Sequence, residues 1–308
     1  MSEYQSPLSR PPVEPGLIAW LRLLRVHHWV KNTLLAVPYL MAHAWVEPRA
    51  FNKLLVSFFT FSLVASASYI LNDIADISFD RLHVDKASRP LASGRIKAPI
   101  ALFVAMLLAF LGGFGAWLVS TDFLLVVILY AVLTTVYTRL LKRLALLDVM
   151  ALASLWALRL WAGAVAIGVE LSVWLLSFGG FLFFSLAIVK RCAELQAGTL
   201  PSDVVLPGRG YARRDLLTLQ IFGMATSVMS VLVLALFVDS SSAQLRYLHH
   251  ERLWFICPVL WFWLGRIWLM TGRGQMHHDP ITYSLTDRVS WAAFLALSLI
   301  WVSALLAF

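Results

Sequence analysis

Charged residues are scarce in this chain. Lys, Arg, Asp and Glu together make up 14% of its 308 residues, and apolar residues make up 60%. An ordinary soluble domain carries about 25% charged residues. This composition excludes a typical soluble protein and favours one that lies in a membrane.

Cysteine is almost absent, since the chain has only Cys192 and Cys257. Two separated cysteines exclude a disulfide framework and a thiolate metal site, and the eight histidines show no ligand spacing. The formal charge of +8 does not indicate a nucleic-acid partner, because the basic residues lie in short segments between apolar runs.

Long apolar runs are what the chain has in abundance. A helix needs about 20 apolar residues to cross a hydrocarbon core roughly 30 Å thick. The runs predict an all-α, polytopic membrane protein with nine transmembrane helices, near 29–46, 51–71, 98–119, 122–139, 146–167, 171–190, 215–238, 252–271 and 288–307. Residues 1–16, rich in proline, are expected to be a disordered cytoplasmic tail, and 17–308 a single membrane-embedded domain that opens with an amphipathic interfacial helix.

Basic residues fall on one side of the predicted bundle. Of the 25 lysines and arginines, Arg159 lies inside a span and only Arg49, Lys53, Arg246 and Arg252 lie on the side opposite the rest. Cytoplasmic loops retain positive charge, so the N-terminus is expected in the cytoplasm. The long loops at 72–97 and 191–214 lie on this same side, and long loops in compact folds often carry function.

The strongest motif is acidic and lies where the second span ends. At about 100° per residue, a continuing helix places Asn72, Asp73, Asp76 and Asp80 within one arc of roughly 100°. Crowded carboxylates repel one another unless a cation neutralises them, and oxygen ligands favour Mg²⁺, which commonly also binds substrate phosphates. The alternative is a solvated acidic helix end.

Cations follow the acidic motif within the same loop. Arg81, Lys86 and Arg89 come directly downstream of it. Their order suits a magnesium-bound diphosphate with basic groups closing over it. Judged alone, Lys86 and Arg89 are better explained as cytoplasmic-side charges.

A second constellation ends the sixth span. Lys190, Arg191 and Glu194 share about 100° of helix surface there. Phosphate binding and a simple i, i+4 pair between Lys190 and Glu194 explain this pattern equally well.

Arg159 is the only charged residue deep inside a span, and it must therefore face the protein interior. It either pairs with a carboxylate for structure or meets a substrate phosphate, and we favour the phosphate. Asp148, at the start of the same span, is a further candidate for substrate binding, unless it only caps the helix. Weaker candidates for substrate binding, which fit headgroup anchoring equally well, are Lys31, Asn32, Tyr137, Lys142 and Tyr211.

The acidic motif resembles the first aspartate-rich motif of the UbiA superfamily of intramembrane transferases. Most prenyltransferases of that superfamily carry a second aspartate-rich motif after the sixth span, where this chain has Lys190-Arg191-x-x-Glu194. This departure is similar to the decaprenyl-phosphate phosphoribosyltransferase branch, as are Trp29-Val30-Lys31-Asn32, Asp80-Arg81-x-His83, Lys86, Arg89-Pro90 and Asp287-Arg288-Val289. Val84 departs from that branch, which usually has proline there.

The resemblance implies Mg²⁺-dependent transfer of 5-phosphoribose from phosphoribosyl diphosphate to a polyprenyl phosphate, in the synthesis of a cell-envelope glycolipid precursor. It implies a cytoplasmic (inner) membrane location with the active site facing the cytoplasm, nine helices around a central cavity, and a trimer. The metal ligands would be Asn72, Asp73, Asp76 and Asp80, with Lys190 and Arg159 as further catalytic residues.

Two other functions stay open. A prenyltransferase acting on an allylic diphosphate needs a second carboxylate cluster, and the second inner loop offers only Glu194 and Asp203 among basic residues. A transporter would have polar or broken helices near the bilayer midplane, whereas these spans look unbroken apart from Arg159 and some glycines.

Overall fold

The computed structural model describes residues 16–82, 86–197, 201, 203–206, 208–276 and 279–306. The predicted tail falls almost entirely outside this range, as do His83, Asp85, His277 and His278. Within it the protein is helical, and its only β pairing is an isolated bridge between Val205 and Ala212.

Eight helices in the described part of the chain are long and apolar enough to span a membrane. They match eight of the nine predicted spans to within a few residues at most ends, and they confirm an integral membrane protein. The α-helices are α1 Gly16–Leu24, α2 Ala36–Met41, α3 Pro48–Ala75, α4 Ile77–Leu82, α5 Ala98–Val119, α6 Thr121–Arg139, α7 Leu147–Ile167, α8 Val173–Ala197, α9 Leu216–Val238, α10 Ser241–Arg246, α11 Ile256–Gly272, α12 Pro280–Thr286 and α13 Arg288–Leu305.

The first predicted span is not one regular helix. Residues 29–46 fall in a 3₁₀ segment, Val26–Leu35, then α2, and then a short 3₁₀ turn, Ala44–Val46. This stretch carries the buried Lys31 and Asn32, and also Pro38, which has no backbone N–H to donate. The count of nine spanning elements therefore stays a prediction.

Helices α3 and α7 lie at the centre of the bundle. In their most apolar stretches 56% and 67% of residues are buried, compared with 17% for α5 and α13. The peripheral helices expose large apolar side chains such as Phe103, Phe110 and Trp117. Such a surface suits lipid rather than water.

Charged contacts gather at one end of the bundle, where α3 and α8 end and α7 and α13 begin; we call this the charged end. The opposite end is closed largely by aromatic and main-chain contacts. There the indole N–H of Trp301 donates to the Tyr247 hydroxyl at 3.2 Å, and Arg252 donates to the Ser303 carbonyl at 2.6 Å. The helices therefore alternate in direction as the loop pattern predicted.

A close approach of backbones fixes the 3₁₀ segment against α7. A Cβ added at Gly163 would lie 2.1 Å from the Leu35 carbonyl oxygen. Only glycine allows this contact. It brings the segment that carries Lys31 and Asn32 against the central helix that carries Arg159.

Candidate active site

The acidic motif runs along a helix that is almost continuous. Helix α3 ends at Ala75, yet the Asp76 N–H still donates to the Asn72 carbonyl at 3.0 Å, and the Asp80 N–H to the Asp76 carbonyl at 2.8 Å. The helical winding therefore carries on into α4. It keeps Asp73 and Asp80 on one buried face, with exposed fractions of 6% and 4%.

Two arginines hold these buried carboxylates. Arg25 Nη2 lies 2.7 Å from Asp73 Oδ1. Arg89 Nη1 lies 2.8 Å from Asp80 Oδ2 and 3.5 Å from Asp73 Oδ1, so it joins the two carboxylates. Paired carboxylates with shared cationic partners can be buried at tolerable cost.

The remaining members of the motif face the neighbouring helix. The Asn72 side-chain N–H donates to Thr138 Oγ1 at 3.0 Å, and Asp76 is half-buried near Lys142. Burial lowers the pKa of Lys142, and the Asp76 carboxylate acts in the opposite direction. Both contacts join the end of α3 to the end of α6 or to the 3₁₀ turn, Leu141–Arg143, that follows it.

The donor set is compatible with a magnesium–diphosphate complex. Mg²⁺ is usually bound through one or two carboxylates together with substrate phosphates. The described residues contain no group of three Asp, Glu, His or Cys side chains arranged to hold a metal ion by themselves. Asp73 and Asp80 already share one cation, so they fit an ion whose other ligands come from phosphate. The metal role of Asn72, Asp73, Asp76 and Asp80 stays a prediction.

A second charged group joins three distant segments at the charged end. Asp279 Oδ2 lies 2.7 Å from Lys31 Nζ and 3.4 Å from Lys190 Nζ. Burial raises the pKa of Asp279, but the two ammonium groups more than offset it and hold the pKa at about 2. Lys190 therefore pairs with Asp279, and the structure does not form the i, i+4 pair with Glu194.

Arg191 forms the most deeply buried ion pair in the described chain. Its Nη2 lies 2.6 Å from Asp148 Oδ2, and both side chains have 0% exposure. The Tyr211 hydroxyl donates to Asp148 Oδ1 at 2.5 Å and accepts from the Leu146 N–H at 2.7 Å. Burial raises the pKa of Tyr211, and so does its hydrogen bond to Asp148.

This network changes the interpretation of three predicted residues. Asp148 is not the N-cap residue of α7, which is Leu146, but its Oδ1 accepts from the Val149 N–H in the first turn at 2.7 Å. Arg191, Asp148 and Tyr211 have at most 2% exposure and are joined by the ion pair and the hydroxyl hydrogen bond. They lock the second inner loop onto α7 and α8, and their predicted contact with substrate stays untested.

Glu194 is also held by arginines. It pairs with Arg191, and Arg209 Nε lies 3.1 Å from its Oε2. The carboxylates that follow the sixth predicted span therefore form no second acidic cluster within the described residues.

Arg159 is 3% exposed and has no carboxylate within ion-pair distance among the described residues. Its Nε donates to Asn32 Oδ1 at 2.9 Å and its Nη2 to the Tyr130 hydroxyl at 3.0 Å, while Nη1 donates to the Leu155 carbonyl. The guanidinium also lies over the Tyr130 ring, 4.9 Å from its centroid. Within the part of the chain that the structure describes, Arg159 forms no pair with a carboxylate, and its hydrogen-bond partners are neutral groups.

The other predicted residues have weaker roles in this state. Arg81 is exposed and donates to the Ala92 carbonyl at 3.1 Å, Lys86 is exposed, and Tyr137 packs against the core. Sequence reasoning missed Arg25 and Asp279 as site residues. The only signal for Asp279 was its place in a polar loop on the charged side, and Arg25 resembled any other cytoplasmic-side charge.

Membrane-spanning helices whose acidic and basic side chains converge at one end define an integral membrane protein with a charged site at that end of the bundle. A family comparison gives the particular class. The chain belongs to the UbiA prenyltransferase family, whose model matches residues 33–273. Members of this family are transferases.

Curated relatives cover much of the chain. The uncharacterized protein y4nM of Sinorhizobium fredii is 37% identical over 88% of this chain, which spans about half (53%) of that relative's length. Nodulation protein NoeC of Azorhizobium caulinodans is 32% identical over 89% of each chain. Decaprenyl-phosphate phosphoribosyltransferase of Mycobacterium tuberculosis is 33% identical over 61% of this chain and 63% of its own.

A solved structure shows the same fold. A UbiA homologue from Archaeoglobus fulgidus bound to GPP and Mg²⁺ matches with a TM-score of 0.64. The match covers 92% of this chain and 96% of the homologue, at 18% sequence identity. This likeness confirms the predicted fold class.

Proposed function

We propose that this protein transfers 5-phosphoribose from phosphoribosyl diphosphate to a polyprenyl phosphate and releases diphosphate. A phosphate oxygen of the lipid attacks the anomeric carbon of the ribose. The bond from that carbon to the diphosphate oxygen breaks, and the diphosphate leaves with the bonding electrons. The lipid phosphate is already anionic, so no general base is needed.

The observation that carries this proposal is the difference between the two charged groups at the charged end. One, which we call the acidic group, brings together two carboxylates, Asp73 and Asp80, whose charges Arg25 and Arg89 balance in this state. The other is basic, with Lys31 and Lys190 sharing the single carboxylate of Asp279. A phosphoribosyl transfer needs such an asymmetry, because one diphosphate binds with metal while two further phosphates need cations.

In this assignment the acidic group binds the leaving diphosphate. Asp73 and Asp80, aided by Asn72 and Asp76, would hold Mg²⁺, which supplies positive charge against the charge that develops on the leaving oxygen. Arg89 already lies between the two carboxylates and would move with them towards a phosphate oxygen. The basic group and Arg159 would receive the ribose 5-phosphate and the lipid phosphate.

We further propose that the charged end faces the cytoplasm and that the protein lies in the inner membrane. Twenty of the 25 lysines and arginines lie on the predicted cytoplasmic side, and cytoplasmic loops carry such an excess. Phosphoribosyl diphosphate is a soluble cytoplasmic metabolite, so this orientation gives it direct access to the site.

Prenyl transfer from an allylic diphosphate is the second candidate. It is favoured by the family to which the chain belongs and by the Archaeoglobus homologue bound to GPP and Mg²⁺. It would use the acidic group in the same way, with the metal assisting departure of diphosphate. It is weakened because Asp148 and Glu194 form ion pairs with arginines. They therefore do not make up a second carboxylate cluster in the described chain.

One assay distinguishes the two candidate reactions. Purified protein is incubated with Mg²⁺, phosphoribosyl diphosphate and a polyprenyl phosphate, and diphosphate release and the mass of the lipid product are measured. A parallel reaction contains GPP and an aromatic acceptor. A phosphoribosylated lipid supports the proposal, and product from GPP alone overturns it in favour of prenyl transfer.

A further inference from the structure

The Asp279 carboxylate occupies an unusual position. It binds Lys31 of the 3₁₀ segment and Lys190 of α8 through the same oxygen, Oδ2. Its other oxygen, Oδ1, accepts from the Ile281 N–H at 3.1 Å and caps α12. One oxygen thus serves the local fold, while the other holds two ammonium groups that come from elsewhere in the chain.

The charge around this oxygen is not balanced. Lys31 is 7% exposed and lies close enough to Lys190 and Arg159 to be affected by their charges. Asp279 is the only carboxylate within ion-pair distance of either lysine in the described chain. Two ammonium groups therefore share one negative charge, and Arg159 adds a third positive charge on the side of Lys31. A buried cation without a counter-ion is costly, so this pocket favours a more highly charged anion.

We propose that Lys31 and Lys190 form a subsite for a phosphate monoester and that Asp279 Oδ2 holds that subsite until the ligand arrives. The inference rests on the proposed function, in which the ribose 5-phosphate and the lipid phosphate are both monoesters. A monoester dianion offers three terminal oxygens and twice the charge of a carboxylate. It displaces Oδ2 from the two lysines.

The displacement needs little rearrangement. Oδ1 can keep its bond to the Ile281 N–H while Oδ2 gives up the lysines. Asn at position 279 retains an oxygen for that cap and removes the negative charge. Asp279→Asn therefore removes the carboxylate that competes with the ligand for the two lysines, and it leaves the local fold intact.

The test measures ligand binding and not turnover. Ribose 5-phosphate and farnesyl phosphate are titrated separately into detergent-solubilised wild-type protein and D279N by calorimetry. If Asp279 occupies the subsite nine times in ten, removing it should tighten the dissociation constant about tenfold, since apparent affinity scales with the competent fraction. The monoester whose affinity tightens identifies which phosphate the subsite takes.

Matched controls distinguish displacement from a general charge effect. Asp203→Asn removes an exposed carboxylate from the other inner loop, and it should leave both affinities unchanged. Mg²⁺ with diphosphate, assigned above to Asp73 and Asp80, should bind wild type and D279N equally. Unchanged or weaker binding of both monoesters to D279N overturns the inference, and so does equal tightening of diphosphate.

The outcome is separable from that of the proposed function. Tighter monoester binding without formation of phosphoribosylated lipid keeps the subsite and rejects the reaction. Normal product formation without tighter binding keeps the reaction and rejects displacement of Asp279.

Discussion

Asp73 and Asp80 share one guanidinium nitrogen, since Nη1 of Arg89 lies 3.5 Å from the first carboxylate and 2.8 Å from the second. The two residues are seven positions apart, so two turns of nearly continuous helix place them on one face. Arg89 thus occupies the place between the carboxylates where positive charge is needed. In the proposed reaction, Asp73 and Asp80 would instead hold Mg²⁺, whose positive charge would also bind the anionic diphosphate.

Removing one of these carboxylates should stop the reaction. Asp80→Asn keeps the side-chain shape but loses a negative ligand, and we expect the turnover rate to fall about a hundredfold or more. Asp122→Asn, in the first turn of α6 at the opposite end, is the matched control and should keep its rate. Diphosphate release measures both variants, with thermal melting to check folding. A near-normal rate in Asp80→Asn would remove the assigned metal role.

Breaking the Arg191–Asp148 pair should destabilise the protein. Arg191→Met leaves the Asp148 carboxylate buried without a cation, a change that typically costs about 3–5 kcal/mol. The double variant Arg191→Met with Asp148→Asn removes the orphaned charge and should recover much of the loss. Melting temperatures in detergent report the difference. Equal stability of Arg191→Met and wild type would contradict the buried pair.

Gly163 should tolerate no side chain. The Cβ of Gly163→Ala would meet the Leu35 carbonyl at 2.1 Å, and overpacking of this kind costs about 1–3 kcal/mol. Because the contact sets the 3₁₀ segment against α7, the bond between Arg159 and Asn32 should shift and turnover should fall. Gly113→Ala in α5 is the control, since its Cβ meets nothing within 4 Å. A Gly163→Ala variant as stable and active as Gly113→Ala would refute the packing assignment.

The Asp279 contacts should weaken only in strong acid. Burial raises the pKa of Asp279, the lysines overcome this effect, and the resulting value of about 2 lies below the ordinary 3.8. A depressed carboxyl pKa stabilises the fold above the unfolded pKa, and the contribution is lost as pH falls through the folded pKa. The melting difference between wild type and Asp279→Asn should be constant above about pH 5 and shrink from there towards pH 2. A difference that already vanishes at pH 5 would contradict this.

Local patterns in the sequence predicted most of the fold. Apolar runs of about 20 residues located eight spanning helices, and the spacing of the acidic motif placed Asp73 and Asp80 on one face. The first span was harder to predict, because hydropathy does not distinguish a 3₁₀ segment with buried Lys31 and Asn32 from a regular helix. A period of 3.0 residues over a short stretch leaves little signal.

The spacing of residues along the chain could not predict which charged side chains of distant segments pair with each other. The sequence predicted that Lys190 and Glu194 could pair at i, i+4, but Lys190 contacts Asp279 and Glu194 contacts Arg191 and Arg209. Which charges meet depends on how α8 packs beside the loop after α11. Tertiary packing decides this, and the local period does not.

The most direct measurement is calorimetric binding of phosphoribosyl diphosphate to the purified protein with and without Mg²⁺. If the acidic group captures a metal–diphosphate complex, wild-type protein binds the ligand with Mg²⁺, and binding is lost with a chelator and in Asp80→Asn. Equal affinity under all three conditions would contradict that capture and leave the proposed reaction without its metal.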